Sequence, residues 1–111
     1  LIATVLMWVS DLINKTTMKI IQEDLGRRGV FKAVEGGREI GEMSYYWQDE
    51  DTFCIDHTGV DEAYEGQGIG KRLVSAAVDY ARKNNKKIIP QCRFAAAIFR
   101  RTPEYRDVEA L

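Results

Sequence analysis

Residues 60–73, VDEAYEGQGIGKRL, place Gly66, Gly68 and Gly70 at alternate positions, after an apolar run and ahead of a helical pattern. The first N–H groups of a helix have no intrahelical partner. Residues without side chains let a ligand come close to them. The helix dipole adds an attraction for anions, and Lys71 and Arg72 add charge at the rim. The stretch therefore reads either as a helix start that receives a diphosphate or as a turn whose glycines are incidental. A Walker loop is ruled out, because Glu65 stands where its first Gly belongs and Arg72 where Ser or Thr is required. A dinucleotide fingerprint fits poorly. It needs GxGxxG in a chain of βαβ units, whereas the spacing here is GxGxG and the preceding strands look antiparallel.

Upstream, strand and turn signals alternate. MKIIQ (18–22) is short and apolar-rich, and DLGRRG (24–29) is a turn. VFKAVE (30–35) has a β composition, Gly36-Gly37 signals a hairpin, and REIGEMSYYWQ (38–48) follows. The acidic DED (49–51) turns the chain into TFCIDHTGV (52–60). There Phe53, Ile55 and His57 alternate onto one face, and Cys54, Asp56 and Thr58 onto the other.

Downstream the period changes. Ile69, Leu73, Ala76, Ala77 and Tyr80, widened by Val74, Val78 and Ala81, form a helical stripe. Its basic end, ARKNNKK (81–87), suits a helix C-terminus and reads as a solvated end rather than a nucleic-acid site. KIIPQC (87–92) is a short strand, expected to be unpaired on one side at Pro90, which has no N–H to donate. RFAAAIFRR (93–101) is a second helix, broken before Pro103. A right-handed strand–helix–strand crossover makes the last two strands parallel. The expected fold is α/β (α+β): a mixed sheet of about five strands, mostly antiparallel, with helices packed on it.

The 111 residues suggest one domain. We take residues 1–17 as an N-terminal extension and 18–111 as the domain, with a short helix packed on the fold as the alternative for the extension. LIATVLMWV is too short to span a bilayer and lacks the flanks of a signal peptide. A net charge of −1, from 16 basic and 17 acidic residues, gives no electrostatic case for nucleic acid or an anionic membrane. Cys54 and Cys92 belong to no CxxC or Cys/His cluster, so no metal site is expected. Free thiols in the cytoplasm are the expected state, in a monomer, with a homodimer as the alternative.

Four blocks carry a resemblance: HTGV (57–60), EGQGIGKRLV (65–74), IIPQCRF (88–94) and RRTPEY (100–105). In order and spacing they resemble the GCN5-related N-acetyltransferase (GNAT) superfamily, and within it the short YjdJ-like branch. The likeness runs from about Met18 to the C-terminus. It implies that acetyl-CoA lies between a fourth and fifth strand that splay apart. The pantetheine arm would meet backbone near Gly59 and Val60. The pyrophosphate would rest on the N–H groups of Gln67, Gly68, Ile69, Gly70 and Lys71. Gly66, Arg72 and Arg93 complete the expected cofactor-binding set. The larger family begins its motif with Gln or Arg; here Glu65 takes that place, and an acid there could instead cap the helix.

Acetyl transfer to an amine needs an uncharged nitrogen, a polarised thioester and a proton for the leaving thiolate. Larger members supply that proton from a Tyr on the last helix, and the resemblance puts Phe99 at that position. His57, the only histidine, reads as a general base or as a histidine satisfied within the sheet. Cys92 lies at a helix start beside Arg93, surroundings that favour a thiolate. It reads as an acetyl acceptor or proton donor, or as a small buried hydrophobe. Cys54 reads as core, and Tyr64, Tyr105 and Glu65 are weaker candidates. The expected function is a small N-acetyltransferase acting on an unidentified amine: a small molecule, polyamine or peptide. The alternative is a non-catalytic CoA-binding or protein-interaction module on the same fold.

Overall fold

The computed structural model describes residues 18–110; the expectations placed on residues 1–17 lie outside them. Five strands form one sheet: β1 (Lys19–Asp24), β2 (Arg28–Glu35), β3 (Arg38–Trp47), β4 (Thr52–Val60) and β5 (Lys87–Pro90). They lie in sequence order, antiparallel from β1 to β4 and parallel between β4 and β5. Helices α1 (Ile69–Asn84) and α2 (Arg93–Arg101) complete the domain. The mixed sheet expected from sequence is the one found.

The β2–β3 hairpin turns on Gly36 and Gly37, whose φ angles of 58° and 78° suit residues without Cβ. Helix α1 buries Ile69, Leu73, Val74, Ala77, Val78 and Ala81, the stripe its spacing predicted. It ends at Asn85, a left-handed cap whose N–H bonds the Ala81 carbonyl. The basic helix end is not simply solvated. Arg82 donates to both Asp107 carboxylate oxygens at 2.9 Å and to the Glu104 carbonyl at 2.7 Å, pinning the turn after α2. The chain then clasps β5. Ile88 N–H donates to the Val108 carbonyl (2.7 Å), and Ala110 N–H to the Ile88 carbonyl (2.8 Å).

An aromatic cluster anchors the sheet to α1: Tyr45 packs on Phe31 and Phe53, and Tyr80 of α1 meets both of those rings. Tyr45 is fully buried. Its hydroxyl donates to Asp24 Oδ2 and accepts from Gln22 Nε2, both at 2.8 Å. Burial, more than its hydrogen bonds, pushes that hydroxyl's pKa far above the ordinary phenol range. Asp24 also accepts from Trp47 Nε1 (2.9 Å) and Gly26 N–H (3.1 Å). Burial raises its pKa, but these donors outweigh burial and leave the carboxyl below its usual value. Gly29 lies beneath the Tyr45 ring, and a Cβ there would overlap the phenol.

Two irregularities in β4 shape everything beyond it. Tyr45 pairs with Ile55 but Ser44 with His57, so Asp56 is an extra residue in β4, a β-bulge. The bulge resets the alternation. The sequence expectation put His57 with Phe53 and Ile55; instead Phe53 and Ile55 are buried and His57 is exposed. The second irregularity is the end of β4–β5 pairing at Ile55–Pro90. The N–H groups of Gln91 and Cys92 both converge on the Ile55 carbonyl at 3.0 Å. Pro90 is thus the last residue paired with β4, and among the described residues nothing pairs with it on its other side, as its missing N–H leads one to expect. The strands part just after it, and among the described residues β4 from Asp56 to Val60 has no strand partner on that side. Among the described residues, no helix is long and apolar enough to cross a membrane.

Gly29→Ala is expected to lower stability by about 1–3 kcal/mol in urea unfolding, the cost of forcing a methyl into a packed core. Asp24 gives a pH test. Its folded pKa is depressed, so its contribution is complete above the ordinary Asp value of about 3.9 and is lost as pH falls through the folded value. Asp24→Asn should therefore lose less stability than the parent in melts taken from about pH 5 downward.

Candidate active site

The site is built where β4 runs on into α1. Asp61 caps the short turn Glu62–Tyr64 by accepting Ala63 N–H at 3.0 Å, and it is held by Arg38 at 3.1 Å. The glycine turn follows. Gly66 and Gly68 have φ angles of 81° and 78°, and Gly68 is the N-cap of α1. No side chain caps that end, so Glu65 does not take the capping role the sequence allowed it. The first helical bond is Arg72 N–H to the Gly68 carbonyl, 3.1 Å. The N–H groups of Ile69, Gly70 and Lys71 precede it and have no helical acceptor.

A cleft of 420 Å³ opens against this turn. It runs from Thr58 and Val60 of the splayed strand, past Tyr64, to the glycine turn and Lys71, with Phe94 of α2 as its far wall. Of the expected cofactor-binding residues, Val60, Gly66, Gly68, Ile69, Gly70 and Lys71 line this cleft. Gln67, Arg72 and Arg93 are exposed and do not line it. Gly59 faces the other side of β4. The bareness of Gly70 also has a second cause: the Phe94 ring occupies the space a Cβ would take.

The two nominated catalytic residues lie on opposite faces of β4. His57 lines a separate groove of 310 Å³ with Glu39, Glu42 and Asp61. Its ring folds over Gly59, with Nε2 3.2 Å from where a Cβ would be. Cys92 caps α2: its sulfur accepts Ala95 N–H at 3.4 Å and lies 3.4 Å from Thr58 Oγ1. Cys54 is wholly buried, its thiol turned to Gln48. Phe99 is buried against Tyr105, ring centroids 5.4 Å apart, so no phenol stands at the helix position where the resemblance expects one. Tyr105 and Lys71 line another pocket, between the two helices. Asp56, at the bulge, accepts from Arg28 and Ser44 at 2.7 Å. Burial raises its pKa, but those donors lower it further, and the carboxyl stays below its usual value. It is a carboxylate at neutral pH, not an acid.

Sequence reasoning missed two cleft residues, Thr58 and Phe94. Thr58 was hidden by the bulge, which alternation cannot reveal. Phe94 had one signal, an aromatic residue one position past Cys92-Arg93, close to a turn too bare to pack on its own.

Residues 30–108 match the sequence profile of the GCN5-related N-acetyl-transferase family. Protein NATD1 of Danio rerio is 24% identical over 101 residues, 91% of this chain and 92% of that protein. A GCN5-like protein from Staphylococcus aureus, solved in solution by NMR, is 32% identical. That match covers 86% of this chain and 89% of the other, with a TM-score of 0.62. A GNAT family acetyltransferase from Elizabethkingia anophelis, solved with acetyl-CoA bound, is 19% identical. It covers 67% of this chain and 64% of its own, with a TM-score of 0.57, a likeness of fold.

The contact between Gly70 and Phe94 makes a double-mutant test. Gly70→Ala alone should destabilise by about 1–3 kcal/mol through overpacking. In a Phe94→Ala background the same change should cost little, a coupling that denaturant midpoints of the four proteins would reveal.

Proposed function

The chain belongs to the GCN5-related N-acetyltransferase family, and from that membership we propose that it binds acetyl-CoA in the 420 Å³ cleft and passes the acetyl group to an amine. One observation carries this reading. Among the described residues, a row of N–H donors without a helical acceptor and a strand edge without a partner open onto the same cleft. A diphosphate suits the first, and the amides of a pantetheine arm suit the second. Lys71 adds a positive charge at the diphosphate end, and Phe94 supplies an apolar wall. The acetyl-CoA bound in the Elizabethkingia relative supports the choice of ligand.

Acetyl-CoA brings an activated acyl group as a thioester; the residues do the rest. The amine approaches from the other face of β4, where Glu42 and Glu39 draw a cationic acceptor beside the Arg38–Asp61 pair and His57 takes its proton. Cys92, behind Thr58 on the donor face, serves the leaving sulfur. The acceptor is a polyamine or a lysine-bearing peptide, since the groove is shallow and acidic. A second reading, a CoA-binding module without turnover, is favoured by Phe99, which has no proton to give.

Calorimetry with CoA tests the binding. Gly70→Glu, placed in the Phe94→Ala background to leave room for the new side chain, is expected to weaken CoA at least about a hundredfold relative to Phe94→Ala alone, because a carboxylate then blocks the diphosphate donors. Equal affinity in the two would overturn this site. Mass spectrometry of spermidine and a lysine peptide after incubation with acetyl-CoA separates the two readings: an acetylated product supports the enzyme, and its absence with CoA still bound supports the module.

A further inference from the structure

Thr58 lies two residues beyond the bulge, so its side chain turns into the cleft while His57 turns away. Its Oγ1 is 3.4 Å from Cys92 Sγ, and the same sulfur accepts Ala95 N–H. With Ala95 on one sulfur lone pair, the Cys92 S–H is free to point at Thr58 Oγ1. With the sulfur as donor, the Thr58 O–H is left free to turn toward the cleft.

Position along the strand matters too. Thr58 stands three residues from Ile55, where β4 and β5 rejoin, about 10 Å at the strand rise. It stands two residues from Val60, near the glycine turn. A chain entering from the diphosphate end passes Val60 before it reaches Thr58. The other protic groups of the cleft, on Tyr64, Glu65 and Lys71, belong to the glycine-turn end. Phe99 carries no proton, and Asp56 is held as a carboxylate by Arg28.

We propose that the Thr58–Cys92 pair delivers the proton to the departing CoA sulfur, Thr58 as the hydroxyl that meets it and Cys92 as the positioning residue and proton store behind. This rests on the acetyl-transfer reading above. The step balances. The amine lone pair forms the new C–N bond, the C–S bond breaks, and its electron pair stays on the CoA sulfur. The Thr58 hydroxyl proton moves to that sulfur as the Cys92 proton moves to Thr58 Oγ1. The Cys92 thiolate is then held by Ala95 N–H and by the renewed Thr58 O–H. The proton shed by the acceptor nitrogen goes to His57 and on to solvent, and Cys92 takes a proton back from solvent. In sum, one acetyl group passes from sulfur to nitrogen and one proton from nitrogen to sulfur, with no change of oxidation state.

The experiment follows CoA release from acetyl-CoA with spermidine as acceptor, across pH, with CoA affinity measured in parallel. Thr58→Val keeps the shape and removes the hydroxyl. It is expected to lower kcat at least about tenfold, to keep CoA affinity within about twofold, and to remove the fall in rate on the alkaline side. Thr58→Ser should restore most of the rate and the alkaline limb. A Thr58→Val enzyme with the parent's rate and pH profile overturns the relay. So does a loss that Thr58→Ser does not rescue, which marks a packing role. A parent that binds CoA but releases none from acetyl-CoA also overturns it, since no sulfur departs. A parent that does not bind CoA overturns the acetyl-transfer reading itself.

Discussion

The single extra residue at Asp56 governs the functional half of this molecule. An inserted residue in one strand reverses which face every later side chain takes. Without it, Thr58 would face away from the helices and His57 would enter the core. The bulge is stabilised by Arg28 of β2 and Ser44 of β3, whose donors outweigh the burial cost of the carboxylate. It lies one residue beyond the point where β4 leaves β5. The twist a bulge adds and the loss of pairing thus coincide, and a strand that is ordinary as far as Ile55 becomes the wall of a cleft.

The helices complete that wall by close contact. Gly70 gives up its side chain so that Phe94 can rest on the first turn of α1. This fixes the distance between α1 and α2 and leaves the end of α1 bare. Gly29 does the same for Tyr45 at the far side of the sheet. In both places a missing methyl lets an aromatic ring come close to the backbone, where packing density leaves no slack.

Much of this was legible in the chain. The strand at 52–60 was read with its observed ends and the helix with its observed start at Ile69, because long periodic runs bounded by turn residues are the strongest local signal. The glycine turn was found for the same reason. Contacts between distant segments were not legible. A bulge is defined by its partner strand, so TFCIDHTGV read as plain alternation and paired His57 with the wrong face. Glycine leaves the same mark whether it admits a ligand or a ring, so Gly70 was read as space for phosphate or as an incidental turn residue, not as room for Phe94. Cys92 and His57 were nominated together on chemistry, and only the three-dimensional path of β4 shows that the strand stands between them.

The clasp on β5 has a consequence for how the protein is made. β5 pairs with β4 over only Thr52–Ile55, and its other edge is covered by Val108 to Ala110. During synthesis the four antiparallel strands leave the ribosome before β5, and the segment that shields this short parallel strand is translated after it. Until it emerges, the nascent domain exposes an unpaired edge, the kind of surface that recruits chaperones or other unfinished chains.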